Sequence, residues 1–234
     1  MSDIQQPTIS RPTESDNGGW LRRFVRGHNH VTLYNADCRD VLSEIVADYI
    51  ITDPPYGIAY DAGRYSGATF DGVMAGDESE YDPSPILELN LKSGLWGANN
   101  YSSKLPRGGW ICWDKRCCEE ADRALGSPFE LAWCSETQIY KIIRMQHGGW
   151  INKDAPNERR LHPTQKPAAL MGRCMTEIKV PEGATVLDPY MGSGTTGIAC
   201  LRTNRNFIGI EKDAKHFATA CARLERECNQ GALL

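Results

Sequence analysis

Asp53-Pro54-Pro55-Tyr56 puts three chemical handles into four residues: a carboxylate, carbonyls on residues with no backbone donor, and an aromatic ring. The motif follows Asp48-Tyr49-Ile50-Ile51-Thr52, a short apolar run that reads as a buried strand. Two prolines cannot continue a hydrogen-bonded ladder, so the chain must turn out at the strand's carboxyl end. Open α/β sheets bind ligands at that rim. A plain turn has no use for so many functional groups.

A second signature lies downstream. Ala184 to Leu187 reads as another buried strand, followed by Asp188-Pro189-Tyr190-Met191-Gly192-Ser193-Gly194-Thr195-Thr196-Gly197 and then a helical stretch, Ile198 to Arg202. Strand, glycine-rich turn and helix form the nucleotide-binding half of a Rossmann-like unit: glycines let backbone approach the ligand, and the helix start favours an anionic group. A further strand, Asn206 to Ile210, ends on Glu211. An acidic residue ~20 positions beyond the glycine turn is the usual acceptor for ribose hydroxyls.

The elements that must position these turns follow from periodicity. Val31 to Ala36 alternates like a strand and leads to Asp37, and a helix with Val41, Leu42, Ile45 and Val46 on one face precedes the Asp53 strand. Further on, Ile86 to Leu91 reads as helix, Gly94 to Gly97 and Trp110 to Trp113 as strands, and Glu119 to Leu125 as a short helix. Phe129 to Cys134 and Gln138 to Arg144 read as a closing pair of strands, and a helix from about Ala168 to Ile178 leads into the glycine-turn strand. Strands separated by helices imply a single α/β domain, a doubly wound, mostly parallel sheet. Residues 1–27 are expected to be a mobile N-terminal arm and residues 28–234 the folded domain. The stretches 57–85 and 147–163 are long and poor in periodic apolar residues, as lids and binding loops are.

Composition narrows the class. A formal net charge of −4 argues mildly against wholesale nucleic-acid binding, but bases cluster locally. From Lys141 to Lys166 stand Lys141, Arg144, Lys153, Arg159, Arg160 and Lys166 against Asp154 and Glu158, enough for phosphate contacts if they border a site. Trp150 and Tyr65 are loop aromatics able to stack or wedge. The nine cysteines include no C-x-x-C pair, so reduced core residues are expected, with neither a disulfide framework nor a metal. No apolar run approaches membrane-spanning length and no signal-peptide layout is present, which points to the cytoplasm.

Taken together these motifs resemble one family, the S-adenosylmethionine-dependent amino-methyltransferases of DNA, in the permuted class where Asp-Pro-Pro-Tyr precedes the glycine motif. His162-Pro163-Thr164-Gln165-Lys166-Pro167 is similar to the family's segment before the cofactor strand, and Asn35-Ala36-Asp37-Cys38 to its upstream acidic turn. The resemblance implies a methyltransferase fold in circularly permuted order, with S-adenosylmethionine as cofactor. It implies catalytic roles for Asp53, Pro54, Pro55 and Tyr56. Cofactor contacts are implied for Asp37, Cys38, Lys166, Asp188, Pro189, Gly192, Ser193, Gly194, Thr195 and Glu211, with Asp37 beside the cofactor's adenine and Lys166 near its carboxylate. A helix-capping role for Asp37 is an equal alternative. The implied partner is duplex DNA, gripped by loops 57–85 and 147–163 through Arg144, Trp150, Lys153, Arg159 and Arg160. Relatives often dimerise, and a cognate restriction endonuclease is a further partner the family offers. Asp53 leans toward N6 of adenine as the acceptor. N4 of cytosine, and an inactive nucleotide- or DNA-binding relative, remain the alternatives.

Overall fold

The computed structural model describes residues 13–14, 20–57, 79–116, 127–146 and 165–230. The chain divides into two compact units, Met1–Thr52 with Val180–Leu234, and Asp53–Lys179.

In the first unit the strands run in the order β1 (Thr13–Glu14), β2 (Trp20–Arg26), β3 (Asn29–Asn35), β10 (Asn206–Glu211), β9 (Thr185–Asp188) and β4 (Tyr49–Thr52). From β3 to β4 every pairing is parallel. The connection from β9 to β10 is α4 (Thr195–Arg202), the helix read from the sequence, begun three residues earlier. Parallel strands align their carboxyl ends, so Asn35, Glu211, Asp188 and Thr52 all end their strands on one rim, as the sequence motifs required.

Helix α5 (Ala214–Gln230) packs against α4, β2 and β3 through an apolar stripe that includes Phe217, Ala220, Cys221 and Leu224. Gly197 of α4 allows the close approach. A Cβ there would sit 2.6 Å from Phe207 and 2.9 Å from Leu224, both buried.

Two sequence expectations fail in this unit. Trp20–Arg26, inside the expected N-terminal arm of residues 1–27, is a full strand paired antiparallel to β3. Its basic residues hid the pattern: Phe24 is buried, Arg22 and Arg26 on the same face are half-buried, and Arg23 is exposed. The helix expected through Val46 also stops early. It is α1 (Cys38–Val41) followed by a 3₁₀ turn, Leu42–Glu44, and Val46 is 86% exposed.

The second unit has strand order β5 (Lys92–Trp96), β7 (Phe129–Cys134), β6 (Gly109–Asp114), β8 (Tyr140–Arg144). The strands β7 and β8 were expected to pair with each other. Instead β6 lies between them, antiparallel to β7 and parallel to β8. Helices α2 (Ser84–Leu87) and α3 (Ala168–Glu177) belong to this unit, α2 beginning before the expected Ile86 and ending short of Leu91. The helix expected over 119–125 lies outside the described residues, as do most of the loops 57–85 and 147–163. Trp96, Trp113 and Tyr101 form the buried centre.

The α/β class therefore holds, with parallel pairing from β3 to β4 in the first unit and between β6 and β8 in the second, and antiparallel ladders at β1–β2–β3 and β5–β7–β6. The described cysteines are free, and six of these seven are buried. Among the described residues no helix is long and apolar enough to cross a membrane.

Gly197→Val should lower unfolding stability by about 1–3 kcal/mol, the cost of overpacking a tight contact, although valine is a better helix former than glycine. Urea denaturation followed by circular dichroism measures it.

Candidate active site

On the rim of the first unit the glycine turn is held by an unusually complete set of bonds. Asp188 is buried with its carboxylate fully engaged. Thr52 Oγ1 donates to Oδ1 and Thr196 Oγ1 to Oδ2, each at 2.6 Å, and the Tyr190 amide donates to Oδ1 at 3.1 Å. One side chain thus ties the end of β4, the end of β9 and the first turn of α4. Its role is to shape the turn.

Gly192 and Gly194 adopt φ of +51° and +80°, left-handed conformations that favour glycine. Nothing lies within 4 Å of the position a Gly192 Cβ would take, so the turn faces open space there. Ser193 is held from below by Arg223 of α5, which donates to its carbonyl at 2.6 Å and its hydroxyl at 2.8 Å. Arg223 also donates to Thr195 Oγ1 at 3.3 Å. Nothing in the local sequence marked Arg223, because its partners lie about 30 residues away.

Glu211 accepts from the Gly192 amide at 3.0 Å and the Asp213 amide at 2.7 Å. Burial raises its carboxyl above the ordinary glutamate value, opposed by those two backbone donors. Each oxygen still has lone pairs to offer.

Asp37 caps α1 by accepting from the Arg39 amide at 3.1 Å, and it pairs with Arg39 at 2.6 Å and Lys212 at 3.2 Å. The Arg39 side chain, ahead of the other contacts, holds its carboxyl far below the usual range. The capping alternative is thus realised. Cys38 is buried beside it, and its thiol is pushed up chiefly by burial.

The second unit contains the Asp53 cluster. Lys166, only 5% exposed, reaches Asp53 Oδ2 at 2.6 Å, Glu130 Oε2 at 3.1 Å and the Tyr56 hydroxyl at 3.0 Å. Tyr56 in turn donates to Asp53 Oδ1 at 2.5 Å. The other Glu130 oxygen binds Lys115. These contacts form one chain: Lys115, Glu130, Lys166, Asp53 and Tyr56.

Burial raises the Asp53 carboxyl above its ordinary value against the pull of Lys166. Burial would also raise Glu130, but Lys166 and Lys115 outweigh it and hold that carboxyl at about 2. Desolvation alone would lower the Lys166 ammonium, yet Asp53 and Glu130 keep it charged.

Lys166 was expected against a cofactor carboxylate. Here it is bound into the Asp53 cluster. Glu130 was not singled out by sequence at all, since a lone glutamate near the start of an apolar strand carries no local signal of its partner. The ring of Tyr56 packs on Gly97, where an added Cβ would fall 1.9 Å from Cε1. The ring is thereby held against bare backbone. Pro54 is buried and Pro55 half-buried. Of the proposed DNA contacts, Arg144 ends β8 with its side chain 73% exposed. Trp150, Lys153, Arg159 and Arg160 lie outside the described residues.

Comparison with known proteins sharpens the class. Residues 135–221 match the family model N6_N4_Mtase, described as DNA methylase. The chain is 46% identical over 79 residues to the type II methyltransferase M2.DpnII of Streptococcus pneumoniae. It is 42% identical over 88 residues to M.HpaI of Haemophilus parainfluenzae. These segments are 34% and 38% of this chain, and they span only 29% and 26% of the two curated relatives' lengths.

Among solved structures, the M1.HpyAVI complex with SAM covers 83% of this chain and 100% of its own, at 24% identity and a TM-score of 0.50. The PvuII DNA methyltransferase, described as cytosine-N4-specific, covers 87% and 93%, at 12% identity and a TM-score of 0.54. The fold is that of a DNA methyltransferase. The matched segment, which contains Lys166, the glycine turn and Glu211, makes the resemblance one to the S-adenosylmethionine-dependent DNA amino-methyltransferases, as the motif order implied.

Thr52→Val keeps the side-chain shape but strips a donor from buried Asp188. It should cost about 1–3 kcal/mol of stability, read as a shift in the denaturant midpoint at unchanged slope.

Proposed function

We propose that this chain transfers a methyl group from S-adenosylmethionine to an exocyclic amino group in duplex DNA, and that the acceptor is N6 of adenine. The observation that carries the proposal is the Asp53 carboxylate, fixed by Lys166 and Tyr56 in an Asp-Pro-Pro-Tyr turn. An exocyclic amino nitrogen is a poor nucleophile because its lone pair is conjugated into the ring. Two acceptors aimed at its hydrogens draw it toward tetrahedral geometry and localise that lone pair. Asp53 and the Pro54 carbonyl suit this task, and Tyr56 offers a ring face to a base drawn out of the stack.

S-adenosylmethionine supplies an electrophilic methyl group, so the protein's work is alignment without a covalent nucleophile. The residues present fit such a cofactor. The turn at Gly192 faces open space, the α4 amide end lies beside it, and Glu211 retains acceptor capacity for hydroxyl groups. Asp37, Cys38, Pro189, Ser193, Gly194 and Thr195 complete the proposed cofactor contacts. Asp188 acts by holding the turn's shape.

Loops 57–85 and 147–163, with Arg144, Trp150, Lys153, Arg159 and Arg160, are proposed to contact DNA, and the protein to work in the cytoplasm where DNA is. Homodimerisation and a cognate endonuclease belong to the same family-based reading. The competing acceptor is N4 of cytosine, supported by the fold shared with the PvuII enzyme. Aspartate at the first motif position favours adenine. Nucleoside analysis of DNA methylated by the purified protein decides it: N6-methyladenine is expected, and N4-methylcytosine alone would overturn the assignment.

Asp53→Ala should reduce methyl transfer on the order of a thousandfold while cofactor affinity by calorimetry changes only a few-fold. Glu211→Ala should do the reverse, weakening cofactor binding first. The ionised Asp53 carboxylate is the active form, and its value lies above the ordinary 3.8, so it takes up its proton at higher pH than a solvated aspartate. The acid limb of a single-turnover pH profile should accordingly set in above that value.

A further inference from the structure

Glu130 takes no direct part in the amino-group chemistry proposed for Asp53, yet it is the second carboxylate on the same ammonium. Lys166 Nζ lies 2.6 Å from Asp53 and 3.1 Å from Glu130, with its side chain almost wholly buried. Lysine is a flexible stem ending in three donors, so nothing in its own geometry stops it turning all of them on one partner. Bound to Asp53 alone, it would form a tight neutral pair and compete for the lone pairs that the substrate's amino hydrogens need. Glu130 draws the ammonium aside, and Lys115 keeps Glu130 charged.

Electrostatics points the same way. Methyl transfer leaves positive charge on the amino nitrogen until a proton departs. A buried ammonium beside Asp53 opposes that charge, and a second carboxylate on the ammonium cancels the opposition at short range.

We propose that Glu130 is a positioning residue for methyl transfer, sharing the Lys166 ammonium so that Asp53 stays oriented and available to the target amino group. This rests on the reading of Asp53 as the amino-group acceptor. The groups facing the pair are Lys166, Glu130, Tyr56 and Tyr101, with Cys174 near Lys166. Burial keeps the two hydroxyls and the thiol protonated, so they add no competing titration.

The test is Glu130→Gln, which preserves size and one acceptor oxygen but removes the charge. Single-turnover transfer should fall on the order of a hundredfold, as for a misplaced reacting group, with cofactor and DNA affinities within about threefold. The acid limb should move to lower pH, because Glu130's charge helps hold the Asp53 carboxyl up. A merely structural role would lower stability without moving that limb.

Two spectra taken on the same proteins read the cluster without any turnover. The ¹⁵N signal of the Lys166 ammonium should shift and exchange faster with water in Glu130→Gln, and the Asp53 carboxyl carbon should titrate at lower pH. Wild-type rate with an unmoved acid limb overturns the proposal. If the wild-type protein transfers no methyl group, the functional reading fails, and unchanged Lys166 and Asp53 spectra in the variant would then overturn the positioning role on their own. A variant that unfolds is replaced by Glu130→Asp, which should retain most of the rate if charge at this place is what matters.

Discussion

The buried Asp188 carboxylate is the constraint on which the rim of the first unit depends. A charge out of water must be matched by donors, and here two threonine hydroxyls and an amide provide them from β4, α4 and the turn itself. The hydroxyls come from residues that are themselves buried, so the bonds have no water to replace them. Strand ends that would otherwise drift independently become one object. The glycine turn inherits its shape from that object, and Glu211 fixes it again at Gly192.

A different logic governs the Asp53 cluster. There the carboxylates are matched by ammonium groups, and charge, not neutral donation, sets the geometry. Such a network is expensive to bury and contributes little net stability for its cost. Its presence beside an Asp-Pro-Pro-Tyr turn is better explained by what it does to Asp53 than by what it does for folding. Tyr56 belongs to both worlds, with its hydroxyl in the network and its ring on the bare backbone of Gly97.

Much of this was legible in the sequence, for definite reasons. The strands ending at Thr52, Asp188 and Glu211 announced themselves because each is a short apolar run closed by proline or an acidic residue, and the glycines marked a turn that needs left-handed backbone. What stayed hidden was whatever depends on distant partners. Strand β2 was obscured by its three arginines, two of them half-buried on the face of Phe24. The placement of β6 between β7 and β8 is a tertiary choice that no local pattern encodes. Lys166 was noticed, but its bonds to Asp53 and Glu130 were not, because sequence gives a lysine's place and not its reach. Glu130 and Arg223 carry no local signal, and each is defined by a partner more than 25 residues away.

The contacts of α5 bear on where this protein can be cut. The family signature ends at residue 221, yet Arg223 supports Ser193, Leu224 packs on α4, and Glu227 accepts from Arg202. A fragment ending at residue 221 would keep the glycine turn and lose the brace beneath it. The physical domain boundary lies farther along the chain than the boundary a motif search would draw.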